Sequence, residues 1–164
     1  AVLGKQTVIN YVGYMMDSYM LFTLQNYAAK LVEKETSPKY YFMDTGLLGL
    51  MLMDCSSAQL ENLVAIELIR RYGRENVFYF EKNVEIDFYV PEEKLAIQVS
   101  LLVLDQIDTR EREIGAFVKL KNFIGDATCL LITNSEEEEL DYEGVHVSVV
   151  PVWKWLLQNR KQDI

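Results

Sequence analysis

One histidine, two cysteines and three prolines in 164 residues leave few of the groups on which several protein classes depend. Cys55 and Cys129 lie far apart, no CxxC occurs, and His146 has no second histidine to pair with. A disulfide scaffold and a zinc knuckle are thereby excluded, and free, mostly buried thiols in a reducing cytoplasm are the expectation. The longest apolar runs, such as Leu47–Met53, fall far short of the ~18 residues a membrane span needs, and no secretory leader is visible. The sequence therefore predicts a cytoplasmic protein with no membrane partner. Positive charge is scarce as well, with 16 Lys and Arg against 25 Asp and Glu and a formal charge of −9. Free-standing binding to a phosphate backbone needs a cationic face, so contact with DNA would be local or supplied by a partner. No glycine-rich loop is present either. Gly4-Lys5-Gln6-Thr7 has the look of the end of a phosphate-binding loop, but it lacks the earlier glycine, the preceding strand and a Ser or Thr directly after the lysine. Nucleotide hydrolysis is not encoded here.

What is present is enough for a folded core, since half the residues are hydrophobic and 12% aromatic. The length fits one domain or two small lobes sharing a core. In the first, residues 1–55, Thr7 is the expected cap of a helix whose face carries Val8, Tyr11, Val12, Met15 and Tyr19. That face calls for something to pack against. Strands are expected at Met20–Tyr27 and Lys39–Met43, joined by a charged connection ending in Ser37-Pro38. Helix, strand, loop, strand is the tail of a winged-helix module, and the abrupt start at Ala1 suggests a piece of a longer protein. The alternative is a helix and hairpin that merely cover the next lobe. Gln6, Asn10 and Tyr14 could reach DNA, but they are not a basic set.

The second unit, residues 56–164, starts after Asp54-Cys55-Ser56-Ser57 with a helix over Ala58–Arg71 stopped by Gly73. Three strands follow, Val77–Phe80, Ile86–Val90 and Leu95–Val99. Next come a helix over Thr109–Phe123, a strand at Cys129–Thr133, a solvated acidic loop at Glu136–Glu139, a strand at Val145–Val149 and a helix from Pro151 to Leu157. The fold class is α/β (α+β), with a mixed central sheet flanked by helices. Arg70 and Arg71 could approach a backbone. Arg110 and Arg112 are interleaved with Glu111 and Glu113, so local ion pairing is expected of them. His146 has no visible partner and is read as a structural strand residue, and Trp153 and Trp155 as divided between surface and core, with an interface as one use.

This order, and Glu61, Asp87, Gln98 and Ser100 on it, resembles the PD-(D/E)XK, restriction-endonuclease-like core. There a helix gives a Glu, a strand gives an Asp and the next strand a Glu-x-Lys, which together hold Mg²⁺ and a water. Glu61 matches the helix position and Asp87, within Glu85-Ile86-Asp87-Phe88, the strand position. In Ile97-Gln98-Val99-Ser100, Gln98 stands for the second carboxylate and Ser100 for the lysine. The whole chain is more similar still to an uncharacterised C-terminal domain of prokaryotic AAA+-type ATPases. In that family a remnant winged helix with Lys-x-Tyr-x-x-Asp-x-Gly-Leu precedes the nuclease-like core. The string here is Lys39-Tyr40-Tyr41-Phe42-Met43-Asp44-Thr45-Gly46-Leu47, offset by one residue. The resemblance implies an upstream, ATP-binding ATPase domain of the same parent chain as partner, with DNA or a protein client as further partners and an oligomer as one arrangement.

Hydrolysis of a phosphodiester by this route needs hard cations gripped by carboxylates and positive charge beside the transition state. An amide at 98 and a hydroxyl at 100 remove both, so the site, Glu61, Asp87, Gln98 and Ser100, reads as degenerate. Glu61 and Asp87 are its remaining weak metal candidates. Glu85, beside Asp87 in the strand, is expected on the opposite face. Without the resemblance, Glu61 is an ordinary solvated helix charge, and Asp87 lies on an exposed face, caps a helix or sits in a site. Three readings follow: an inactive nuclease-like interaction module with no cofactor of its own, a divergent Mg²⁺-dependent DNA nuclease, and a winged-helix DNA-binding regulator. The acidic balance counts most against the third.

Overall fold

The computed structural model describes residues 4–29, 38–51, 56–104 and 107–158. The Val2-Leu3 start, the connection ending at Ser37 and the Asp54-Cys55 linker with the boundary at 55 lie outside the described residues. Helix α1 (Lys5–Asp17) leads into β1 (Leu21–Asn26) and β2 (Lys39–Phe42), then α2 (Gly46–Met51) and α3 (Ser56–Tyr72). Strands β3 (Phe78–Glu81), β4 (Glu85–Val90) and β5 (Leu95–Val99) precede α4 (Ile107–Ile124). The chain continues through β6 (Thr128–Thr133), β7 (Glu138–Tyr142), β8 (Val145–Pro151) and α5 (Val152–Leu157).

The eight strands form one mixed sheet in the order β2-β1-β3-β4-β5-β6-β8-β7. The β1/β3, β5/β6 and β6/β8 pairs are parallel, and the other neighbours are antiparallel. The expected mixed sheet with helices on its faces is thus observed, and the hairpin β1–β2 is part of it rather than a separate layer.

Each face has its own core. Under α4, Ile114, Phe117 and Leu120 pack on Ile86, Leu131, Val147 and Val149. Under α3 and α5, Val64, Leu68 and Trp155 pack on Tyr79, Phe88, Ile97 and Ile132, and Phe22, Leu24 and Tyr41 of the hairpin join them. Each such fully buried side chain contributes about 1.5–3 kcal/mol relative to exposure, so the hairpin is held by the same burial that holds the central strands. Asn62, 3% exposed, ties it further: its Oδ1 accepts the Phe42 N–H at 2.7 Å and its Nδ2 donates to the Phe42 carbonyl at 2.9 Å. The amide thus serves as a pairing strand for the outer edge of β2. Asp44 Oδ1 accepts the Gly46 N–H at 2.7 Å, which is how the Asp44-Thr45-Gly46 string opens α2.

Three expectations are corrected, and one short helix is added. Helix α1 begins at Lys5 after Gly4, not at a Thr7 cap, and none of its described residues is buried: Val8, Ile9, Tyr11 and Tyr14 are exposed. The acidic stretch is a solvated loop only in part: Glu137, Glu138 and Glu139 are exposed, but Glu136 is half-buried. Glu136 accepts the N–H groups of Val103 at 2.6 Å and Leu104 at 3.1 Å, Glu137 pairs with Lys154, and Glu138 opens edge strand β7. The apolar stretch after Asp44 includes a short helix. His146 does have partners, Asp141 at 3.0 Å and Glu139 at 3.1 Å across the β7–β8 hairpin. That hairpin turns at Glu143 and Gly144, both at positive φ, the geometry a two-residue primed turn requires. Trp155 is buried and Trp153 exposed, as the divided reading has it, and Cys129 is a free buried thiol. Among the described residues no helix is long and apolar enough to cross a membrane.

Candidate functional site

At the end of the sheet where β4 and β5 part, a recess of about 400 Å³ is lined by Glu61 of α3, Glu85 and Asp87 of β4, Gln98 of β5, and Arg112, Glu113 and Lys119 of α4, with neighbours. The parting has a local cause. Phe78 pairs with Tyr89 and Phe80 with Ile86, so Asp87 and Phe88 of β4 together face Tyr79 of β3. This is the two-against-one count of a β-bulge, a device that re-aims side chains. On the other side the β4–β5 register runs only to Phe88 opposite Ile97.

Beyond that point side chains replace the backbone ladder. Gln98 Oε1 accepts the Asp87 N–H at 2.8 Å, and Gln98 Nε2 donates to the Glu85 carbonyl at 3.2 Å. Asp87 Oδ2 in turn accepts the Val99 N–H at 2.9 Å. An amide carries both a donor and an acceptor, and this position uses both. A glutamate there could accept but not donate, and it would add a charge beside Glu85 and Asp87. Gln98→Glu is accordingly expected to cost about 1–3 kcal/mol at neutral pH in urea unfolding, with the loss shrinking as the new carboxyl is protonated.

Of the four residues read from the sequence, Glu61, Asp87 and Gln98 meet in this recess. Ser100 does not line it: it follows the last residue of β5, and its hydroxyl donates to the Leu102 carbonyl at 3.2 Å. Glu85 corrects the expectation of an opposite face. Positions two apart share a face of a strand, and one ammonium reaches both: Lys39 Nζ is 2.6 Å from Glu85 Oε1 and 3.8 Å from Asp87 Oδ1. Tyr41, also two positions from Lys39, donates its hydroxyl to Glu61 Oε1 at 2.8 Å. Arg112 is engaged by Glu113 at 2.6 Å, a local pair as expected. Arg70 and Arg71 lie away from the recess and both bind Glu67.

Burial, then the charge of Glu61, pushes the Asp87 carboxyl up to about 7, and neither Lys39 nor the Val99 N–H brings it back. Burial and the neighbouring Glu61 also push the Tyr41 hydroxyl far up, so it stays a donor. Lys39 lies above its ordinary value: burial lowers it, but the hydrogen bond to Glu85 and the charges of Asp87, Glu61 and Glu85 outweigh this. The donor set does not fit a catalytic Mg²⁺. Gln98 Oε1 is spent on a backbone N–H, burial and Glu61 disfavour the charged form of Asp87, and the Lys39 ammonium is paired with Glu85 and Asp87. The sequence gives one clue to Lys39 and Tyr41: they alternate on one strand within the Lys39–Leu47 string.

Residues 2–58 match a family described as a domain of unknown function (DUF8612). The chain is also similar to the uncharacterized protein MJ1544 of Methanocaldococcus jannaschii, with 32% identity over 165 residues covering 94% of this chain. It spans only 37% of that relative's length. No solved structure gives a significant match.

Proposed function

We propose that this chain is a nuclease-like module that has lost its hydrolytic chemistry and serves as an interaction part of a longer AAA+-type ATPase. The observation that carries this reading is Gln98. At the position of the second carboxylate, its amide is consumed in joining β4 to β5. The order α3, β3–β5, α4, β6 supports a restriction-endonuclease-like core, and α1 with the β1–β2 hairpin supports a partial winged helix. The longer relative supports a parent protein with further domains. The exposed Val8, Ile9, Tyr11 and Tyr14 of α1 supply an apolar face for docking on the ATPase part. The net charge of −9 argues against DNA as a free-standing partner.

The test is hydrolysis itself. Incubated with Mn²⁺ or Mg²⁺ and single-stranded, duplex and branched DNA, the chain is expected to leave all three intact. Metal-dependent nicking that Asp87→Ala abolishes would overturn the proposal in favour of a divergent nuclease. That second reading draws on one observation, the return of a positive charge to the recess by Lys39.

A further inference from the structure

The mismatch between the recess and a divalent ion has a specific occupant. We infer that the Lys39 ammonium, held against Glu85 and Asp87, is the built-in counter-cation of the recess that these carboxylates line with Glu61, making with the chain's own charge the neutralisation a divalent ion would otherwise supply. The inference rests on the reading that the hydrolytic site is retired, and adds how the leftover carboxylates are neutralised.

Three carboxylates from two elements, Glu61 on α3 and Glu85 and Asp87 on β4, line the recess. Left without a cation, the charges of Glu61 and Asp87 oppose one another, and Asp87 is largely buried, where charges interact more strongly than in water. Lys39 comes from a third element, the edge strand β2, and pairs with both β4 carboxylates. Its Nζ also lies 5.3 Å from the centre of the Tyr79 ring, whose face attracts a cation. Lys39 is held in register by its neighbours. Leu24 stands opposite it in β1, and two residues on, Tyr41 bonds Glu61 while Asn62 clamps Phe42. The cations that line the recess itself are differently placed. Arg112 is tied to Glu113, and Lys119 comes from the opposite helix α4. An incoming divalent ion would have to displace an ammonium that covalent attachment keeps close at hand.

The experiment compares the wild-type chain with Lys39→Met, Lys39→Arg and the double variant Lys39→Met/Asp87→Asn, each with EDTA and with millimolar Mn²⁺. Thermal melting and calorimetric titration with MnCl₂ are the readouts. In EDTA, Lys39→Met is expected to melt roughly 5 °C below wild type, while Lys39→Arg stays close to it and the double variant regains part of the loss. Mn²⁺ should raise the melting temperature of Lys39→Met alone and bind it at least about tenfold more tightly than wild type. Two results would overturn the inference: wild type binding Mn²⁺ as tightly as Lys39→Met, or Lys39→Met as stable as wild type and equally indifferent to Mn²⁺. Should Lys39→Met fail to fold, rescue by the added Asp87→Asn supports the inference and failure of that rescue overturns it. DNA cleavage by the wild type bears on the retired-site reading alone, since none of these readouts uses a nucleic acid.

Discussion

Glu67→Ala should lower the free energy of unfolding by about 3–5 kcal/mol, the range found when one partner of a buried ion pair is removed. The reason lies in what would be left behind. Glu67 accepts two bonds from Arg70, at 2.8 and 2.7 Å, and one from Arg71 at 2.7 Å. The Arg71 side chain is only 8% exposed, its Nη2 donates to the Trp155 carbonyl at 3.0 Å, and its guanidinium lies 4.1 Å from the indole centre. Glu67, Arg71 and Trp155 therefore join α3 to α5 on one face of the sheet, and Glu67 is the ion-pair partner of that buried guanidinium among the described residues. Arg70, 58% exposed, is solvated whether or not it is paired. Arg70→Ala should thus cost no more than about 1 kcal/mol. Urea unfolding of the two variants measures the contrast, and equal losses would show that the Arg71 charge is not what Glu67 neutralises. The hydrogen bond from Arg70, with the Arg71 pair, holds the Glu67 carboxyl below its ordinary value. Its contribution is therefore present above about pH 4.5 and disappears as pH falls through the lower folded value.

How far the fold could be read in advance depended on burial. Leu95–Val99, apolar throughout except Gln98, shows its bounds in the sequence because a central strand is covered on both faces. Gly73 shows the end of α3 because its φ of 81° and ψ of 147° suit glycine alone. Strand β7 is hidden by the same logic: as an edge strand it buries only Leu140, and Glu138, Glu139 and Asp141 read as loop. The face of α1 was misjudged because periodicity reveals an apolar stripe but not whether anything in the chain covers it. At the site, the missing acid and lysine were visible as letters at 98 and 100. The use made of Gln98 was not, since it follows from a bulge in β4 and a ladder that stops at Phe88. Lys39 was hidden more deeply, because it lies far from Asp87 in the chain and only the successive pairing of β2, β1, β3 and β4 brings it there.

Asp87→Asn should make the protein more stable at pH 8 and erase part of its pH dependence. The wild-type carboxyl titrates near pH 7 in the fold against an ordinary value of 3.8. Between those values the folded state binds the proton and the unfolded chain does not. Stability from this group is therefore greatest at the acid end of the window and falls as pH rises from about 4 to about 7, the reverse of a salt-bridged carboxylate. The shift corresponds to a loss on the order of 4 kcal/mol across the window. Asparagine keeps the acceptor that Val99 needs, and Lys39 keeps Glu85. The variant should thus match wild type near pH 4 and exceed it by up to about 4 kcal/mol at pH 8 in urea titrations. Below pH 4.5 both chains should weaken together as Glu67 is protonated. Equal stability at pH 8 would mean that Asp87 ionises in the fold without penalty, leaving a full carboxylate beside Glu61 ready for a cation. A clear gain would mean that this carboxyl must first surrender a proton before it can grip a metal, a cost that falls on the first step of any hydrolysis at neutral pH.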